Sequence, residues 1–173
     1  NDHEKVVKTV LDQTKVVNGV TTRVVEEKEW KDGKLIEVSQ NYFAICEKTK
    51  DLFYFGEDVD EYSDNKVVGH AGAWHAGIDG AKPGLMMPGK PAVGTRYYQE
   101  VARGVAMDRA EIISLDETLK TPAGTFSNCL KTKEGSAINP LEKEFKIYAP
   151  GIGLIQDADL LLIKYGHIQK EGK

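Results

Sequence analysis

The stretch from 69 to 89, GHAGAWHAGIDGAKPGLMMPG, concentrates the residues of this chain whose types and spacing could do chemistry. His70 and His75 offer imidazole and Met86 and Met87 offer thioether, a ligand set suited to copper and above all to Cu(I). Glycines at 69, 72, 77, 80 and 84 would let the backbone approach itself closely enough for the four to converge. Against this stands the packing reading of the same letters. His-x4-His on a flexible loop is a weak metal signal, and Met86-Met87 reads equally well as a hydrophobic plug.

Other chemistries leave fainter traces. In the acidic stretch from 56 to 65, Asp58, Asp60 and Asp64 supply oxygens, but Tyr62, Ser63 and Gly69 occupy positions where a calcium loop needs other residues. A strand end and hairpin tip with solvated charges is expected there. Glu57, Asp58, Glu100 and Asp108 could form the paired carboxylates of a hydrolase, although pairs arise by chance among 27 acidic residues. There is no Gly-x-Ser-x-Gly elbow, and GIDGAKPG lacks the spacing of a phosphate loop. His3 and His167 lie near the ends. Cys46 and Cys129 read as mid-strand residues, expected to be buried thiols, with a disulfide as the alternative.

The elements that must position these residues read as strands. Turn signals recur at Asn18-Gly19, Lys31-Asp32-Gly33, Thr49-Lys50-Asp51, Ser63-Asp64-Asn65 and Pro122-Ala123-Gly124. Between them lie segments rich in Val, Ile, Tyr, Phe and Thr, several alternating apolar with polar, such as Val20, Thr22 and Val24 against Thr21 and Arg23. No window shows a capped helical stripe. The expected fold is mainly β with little helix: one domain over 1–173, roughly nine or ten strands in an antiparallel meander. Such a sheet must curl into a half-barrel or barrel, or split into a sandwich, to cover its apolar face. A long Gly/Pro-rich loop at about 69–94 interrupts it, and so does a second loop at 135–143. A structureless connection of that length inside a compact domain is usually functional. Phe53, Phe55, Trp74 and Tyr97 cluster around the long loop in sequence. With Met86 and Met87 they form the candidate ligand-lining set, the loop acting as a lid.

Composition narrows the partners. The chain has 173 residues, 40% hydrophobic and 29% charged, with a net charge of −4, the profile of a globular protein. Arginine occurs only at 23, 96, 103 and 109 and the lysines are scattered among acids, so nucleic acid is not an expected partner. The longest apolar runs are about five residues, too short for a transmembrane segment. The sequence begins at Asn1, which fits either trimming or removal of a signal peptide.

TLKTPAGTFSNCLKTKE (118–134) and FKIYAPGIGLIQ (145–156) resemble exported bacterial proteins of the LolA-like, lipoprotein-carrier-like superfamily. LFYFGEDVDEY and AGIDGAKPGLMMPGKPAVGTRYYQE in the middle are similar to segments of its uncharacterised members. The resemblance implies a strongly curved antiparallel sheet, a periplasmic or extracellular location, and binding rather than catalysis; it brings no catalytic residues. The expectation is therefore an exported, non-enzymatic domain holding an apolar or amphipathic ligand, or a cell-envelope component, in the hollow of its sheet. Copper binding is the alternative, and a hydrolase with paired carboxylates the third reading.

Overall fold

Asn18-Gly19, Asp32-Gly33 and Asp64-Asn65 all take positive φ, between 49° and 78°, the backbone that two-residue hairpin turns require. Each folds a strand back on its predecessor in the computed structural model, which describes residues 3–141 and 143–167. β1 (Glu4–Val17), β2 (Val20–Lys31), β3 (Lys34–Ile45) and β4 (Leu52–Ser63) follow one another in register, with Val17 opposite Val20 and Lys31 opposite Lys34. β5 (Lys66–Gly69), β6 (Trp74–His75) and β7 (Lys82–Met87) all pair with β4, and β9 (Glu100–Val101) extends β7. β8 (Arg96–Tyr98) belongs to a second antiparallel sheet with β10 (Asp108–Thr121), β11 (Gly124–Ser136), β12 (Glu144–Ala149), β13 (Gly153–Asp157) and β14 (Leu160–Leu161).

The protein is all-β, with 66% of the described residues in strands and none in a helix. No barrel closes. The meander order survives within each sheet, but the single expected sheet is two, of eight and six strands, and the strands number fourteen among the described residues. The extra strands are short. β6, β9 and β14 have two residues each, and two residues leave no alternation for a sequence to display. Residues 69 to 94 are also not the structureless loop expected: β6 and β7 lie inside it. The chain passes between sheets at Gln99, between β8 and β9, where Gly84 of β7 lies so close that a Cβ would stand 1.9 Å from the Gln99 carbonyl oxygen.

The apolar core is divided. One cluster gathers Val24, Tyr42, Tyr54, Phe55, Trp74 and several alanines in the first sheet. The other gathers Cys129, Ile147, Ala149 and Ile155 in the second. One ion pair, Lys8–Asp157, joins the two sheets, and the others lie within a sheet. Lys8 of β1 lies 2.9 Å from Glu27 of β2 and 3.8 Å from Asp157 of β13, and Lys146 of β12 lies 3.2 Å from Asp157 and 3.6 Å from Glu134. Glu134, buried, also accepts hydrogen bonds from Thr132, Gln99 and Tyr148 at 2.7, 3.2 and 3.3 Å. Burial alone would lower the Lys146 pKa, but Glu134, Asp157 and Glu144 outweigh it and hold the ammonium charged. A buried ionic layer of this kind is stable only when its members satisfy one another.

Both cysteines are free, but only Cys129 is a buried strand residue. Cys46 falls just past β3, half-buried in a turn where its carbonyl accepts from Lys50 N and its N–H donates to Asp51 O. A hydrogen bond from Thr49 lowers the Cys46 thiol pKa, while burial raises that of Cys129. With a disulfide-exchange reagent at neutral pH, one thiol should react in the native protein and the second only on unfolding. Two rapidly reacting thiols, or none, would contradict this placement.

Candidate functional site: a cleft beside β6

Gly56 decides the local geometry. Its φ is +123°, and a Cβ there would lie 2.1 Å from the carbonyl oxygen of Trp74, so only glycine lets β6 cross β4 at this point. The crossing sets Trp74 opposite Glu57 and His75 opposite Gly56, and Ala76 N donates to Phe55 O at 2.8 Å. A loop closed by Gly77 N to Ala81 O, 2.9 Å, then returns the chain toward β7. The β9–β10 connection, pinned by the Ala102–Ala106 bridge, brings Arg103 and Val105 alongside.

Between these elements lies a cleft of about 230 Å³. Its polar lining is Glu57, Asp58, Trp74, His75, Asp79 and Arg103; Ile78, Ala81, Ala102 and Val105 supply apolar wall. Trp74 is only 6% exposed, edge-on to Tyr54 at 5.4 Å, yet its indole Nε1 has no hydrogen-bond partner. A buried N–H without an acceptor is costly and uncommon in native proteins.

Asp58 organises one flank. Its Oδ2 takes Lys15 Nζ at 2.7 Å and the Tyr42 hydroxyl at 2.5 Å, and its Oδ1 lies 2.8 Å from His75 Nε2. That last contact is off the line of a hydrogen bond, so the imidazole nitrogen remains unsatisfied as a donor or acceptor. Burial works against ionisation of Asp58, but the Lys15 and Tyr42 bonds and the nearby His75 outweigh it and lower its pKa. Burial and the Asp58 contact push the Tyr42 phenol up, which keeps it a proton donor rather than a nucleophile. Among the described residues no Ser, Thr or Cys side chain forms a hydrogen bond with His75.

Glu57 forms the other flank. Burial and the carboxylates of Glu37, Glu27 and Asp108 raise its pKa to about 7 against a hydrogen bond from Tyr54. Glu100 is raised to about 8, by burial first and then by Asp108 and Glu57. Three of the four acids singled out from sequence thus share one electrostatic neighbourhood, while Asp58 is engaged with Lys15, Tyr42 and His75.

The histidine–methionine set is not assembled. His70 Nδ1 lies 2.7 Å from Val59 O and 3.0 Å from Asp60 Oδ1, so His70 and His75 each answer to a different aspartate. Met87 lies opposite Leu52, and Leu85, two residues before it, opposite Phe53. From there to Val59 is roughly 20 Å at about 3.3 Å per residue, far beyond metal–ligand reach. Among the described residues no group of three or more His, Cys, Asp or Glu side chains is placed to hold a metal.

Of the six candidate ligand-lining residues, Trp74 alone borders the cleft. Phe55 is buried in the first core cluster, with Phe53 and Met86 packed against it. Met87 is half-buried at the end of β7. Tyr97 sits in the second sheet opposite Ala110, its hydroxyl buried and unpartnered. Lys15, Tyr42, Arg103 and Val105 were not legible as site residues. Lys15 and Asp58 are 43 positions apart, and only the pairing of β1 through β4 unites them. The chain matches no family model, no curated protein and no solved structure.

Proposed function

We propose that this protein is an exported, non-enzymatic binding domain whose ligand, small and apolar or amphipathic, occupies the cleft beside β6. The observation that carries the reading is the cleft itself, where Trp74 and charged side chains stand beside the apolar Ile78, Ala81, Ala102 and Val105. At about 230 Å³ the cleft lies below the roughly 300–1,000 Å³ of pockets that hold drug-sized molecules, so the occupant is small. Export, and an open curved sheet of the LolA-like kind, rest on the resemblance of residues 118–134 and 145–156.

The chain has two tryptophans, so Trp30→Phe leaves Trp74 as the only indole. In that background the emission should change saturably with at least one small amphiphile from a set of isopentylamine, isocaproate and L-leucine. Val105 is 50% exposed, so Val105→Phe should narrow the cleft without unfolding the protein and should abolish the response. An unchanged response in Val105→Phe would place the binding elsewhere.

A further inference from the structure

β1 ends the first sheet, and among the described residues it pairs with β2 alone. From Glu4 to Val10 its register with β2 is unbroken, and the bulge comes only after, between Val10 and Thr14. Asp32 N donates to His3 O at 2.8 Å, which makes His3 and Asp32 a hydrogen-bonded pair. By alternation Lys5, Val7 and Thr9 direct their backbone groups at β2, while Glu4, Val6, Lys8 and Val10 direct theirs outward. Lysines often guard such an edge. Here both are drawn back over their own sheet. Lys5 Nζ stands 4.9 Å from the centre of the Trp30 ring, and Lys8 Nζ lies 2.9 Å from Glu27. Val10, 67% exposed, stands beside the open backbone.

We propose that this edge pairs with the same edge of a second copy of the chain, antiparallel across a two-fold axis, so that two eight-stranded sheets become one. A two-fold axis through a strand pair sets residues of like parity opposite one another, so every outward residue meets an outward residue and the ladder bonds form. Centred on Val6, the pairing sets Val6 against the second copy's Val6. It also sets Glu4 against the second copy's Lys8 on both sides of the axis. Both side chains are partly exposed, and an ammonium has three donors, so Lys8 meets this glutamate without releasing Glu27. Centred on Lys5 or Lys8, the pairing would put two lysines opposite one another, and centred on Val7 it would lose both Glu4–Lys8 pairs. The charges along this edge thus complement themselves in one register, which selects a second copy over an unrelated strand. None of this depends on the cleft.

Sedimentation equilibrium of the whole chain should show monomer and dimer in exchange, and a pure monomer up to about 500 μM would overturn the proposal. Val6→Pro deletes an outward N–H that the protein's own sheet does not use, a change that edge strands tolerate. It should abolish the dimer and keep the monomer folded. Glu4→Lys should weaken the dimer at least about tenfold, because two opposite-charge pairs become two like-charge pairs. Oxidation in a Cys46→Ser background reads the register. Val6→Cys should form a disulfide-linked dimer, because the pair on the axis has its Cα atoms about 5.5 Å apart. Val10→Cys, though its site is exposed, should not, because in this register the two copies of that residue lie about 26 Å apart along the strands. A dimer that persists in folded Val6→Pro, that Glu4→Lys leaves as tight as before, or that cross-links at Val10 as readily as at Val6, is formed by another surface and overturns the assignment.

Discussion

Raising the pH from 5 to 8 is expected to lower the melting temperature of this protein by about 10 °C. The cause is the set of carboxylates that folding makes harder to ionise. Burial, together with neighbouring acids, raises Glu57 to about 7 and Glu100 to about 8. Glu29 rises to about 7 through burial and the adjacent Glu27 and Glu37. In the unfolded chain these groups lose their protons near the ordinary glutamate value of about 4.3. Between that value and pH 7–8 the folded protein therefore binds more protons than the unfolded one. Stability must fall as pH rises through this window and be fully present below it. Asp58 is shifted the other way, so its contribution is lost only as the pH falls through the acid range, outside this window. Glu29 is about half exposed and screened by solvent, and Glu57 and Glu100 interact and titrate as a pair, so the combined loss is taken as on the order of 3–4 kcal/mol, well below the sum of separate shifts. At about 2–4 °C per kcal/mol for a domain of this size, that is about 10 °C. Glu100→Gln, neutral at every pH, should raise the melting temperature at pH 8 by about 5 °C and leave it unchanged at pH 5. A melting temperature that is flat, or highest at pH 8, would show that these carboxylates are not held among one another as described.

Gly56→Ala is expected to be a severely damaging small substitution in the first sheet, costing roughly 3–5 kcal/mol. Two effects add. The residue has φ of +123°, which an L side chain rarely adopts, and the new Cβ would sit 2.1 Å from the Trp74 carbonyl oxygen and 2.9 Å from the His75 Cα. Relief requires β6 to lift off β4, which carries Trp74 out of the core and opens the cleft wall. The variant should therefore melt about 10 °C lower or more and show red-shifted Trp74 emission in the Trp30→Phe background. Gly72→Ala is the matched control. Its φ is +85° but nothing lies within 4 Å of the added Cβ, so only backbone strain of roughly 1–2 kcal/mol applies. Equal losses at the two positions would mean that β6 does not cross β4 at Gly56.

What the sequence determined by itself was local. Asn18-Gly19, Asp32-Gly33 and Asp64-Asn65 favour positive φ through their own chemistry, so they announce hairpins without reference to anything distant, and β2, β3 and β4 follow from the segments between them. The all-β class and the antiparallel order within each sheet come from the same source. Cys129 could be read as buried from its place well inside β11, whereas Cys46, one residue past β3, could not be separated from its strand, since strand ends leave little mark. Only the tertiary structure decided which groups meet. Whether His70 joins His75 depends on where β5 and β6 land along β4, and nothing in the letters between them sets that distance. The cleft is likewise an outcome of pairing. Gly56 admits β6, Gly84 admits the passage at Gln99, and the Ala102–Ala106 bridge brings Arg103 across, each a contact between residues remote in sequence. Periodicity reports which face of one strand is apolar. It cannot report that Glu57, Glu100 and Asp108 will face one another, because their energies are set by distance through space and by the water that folding removes.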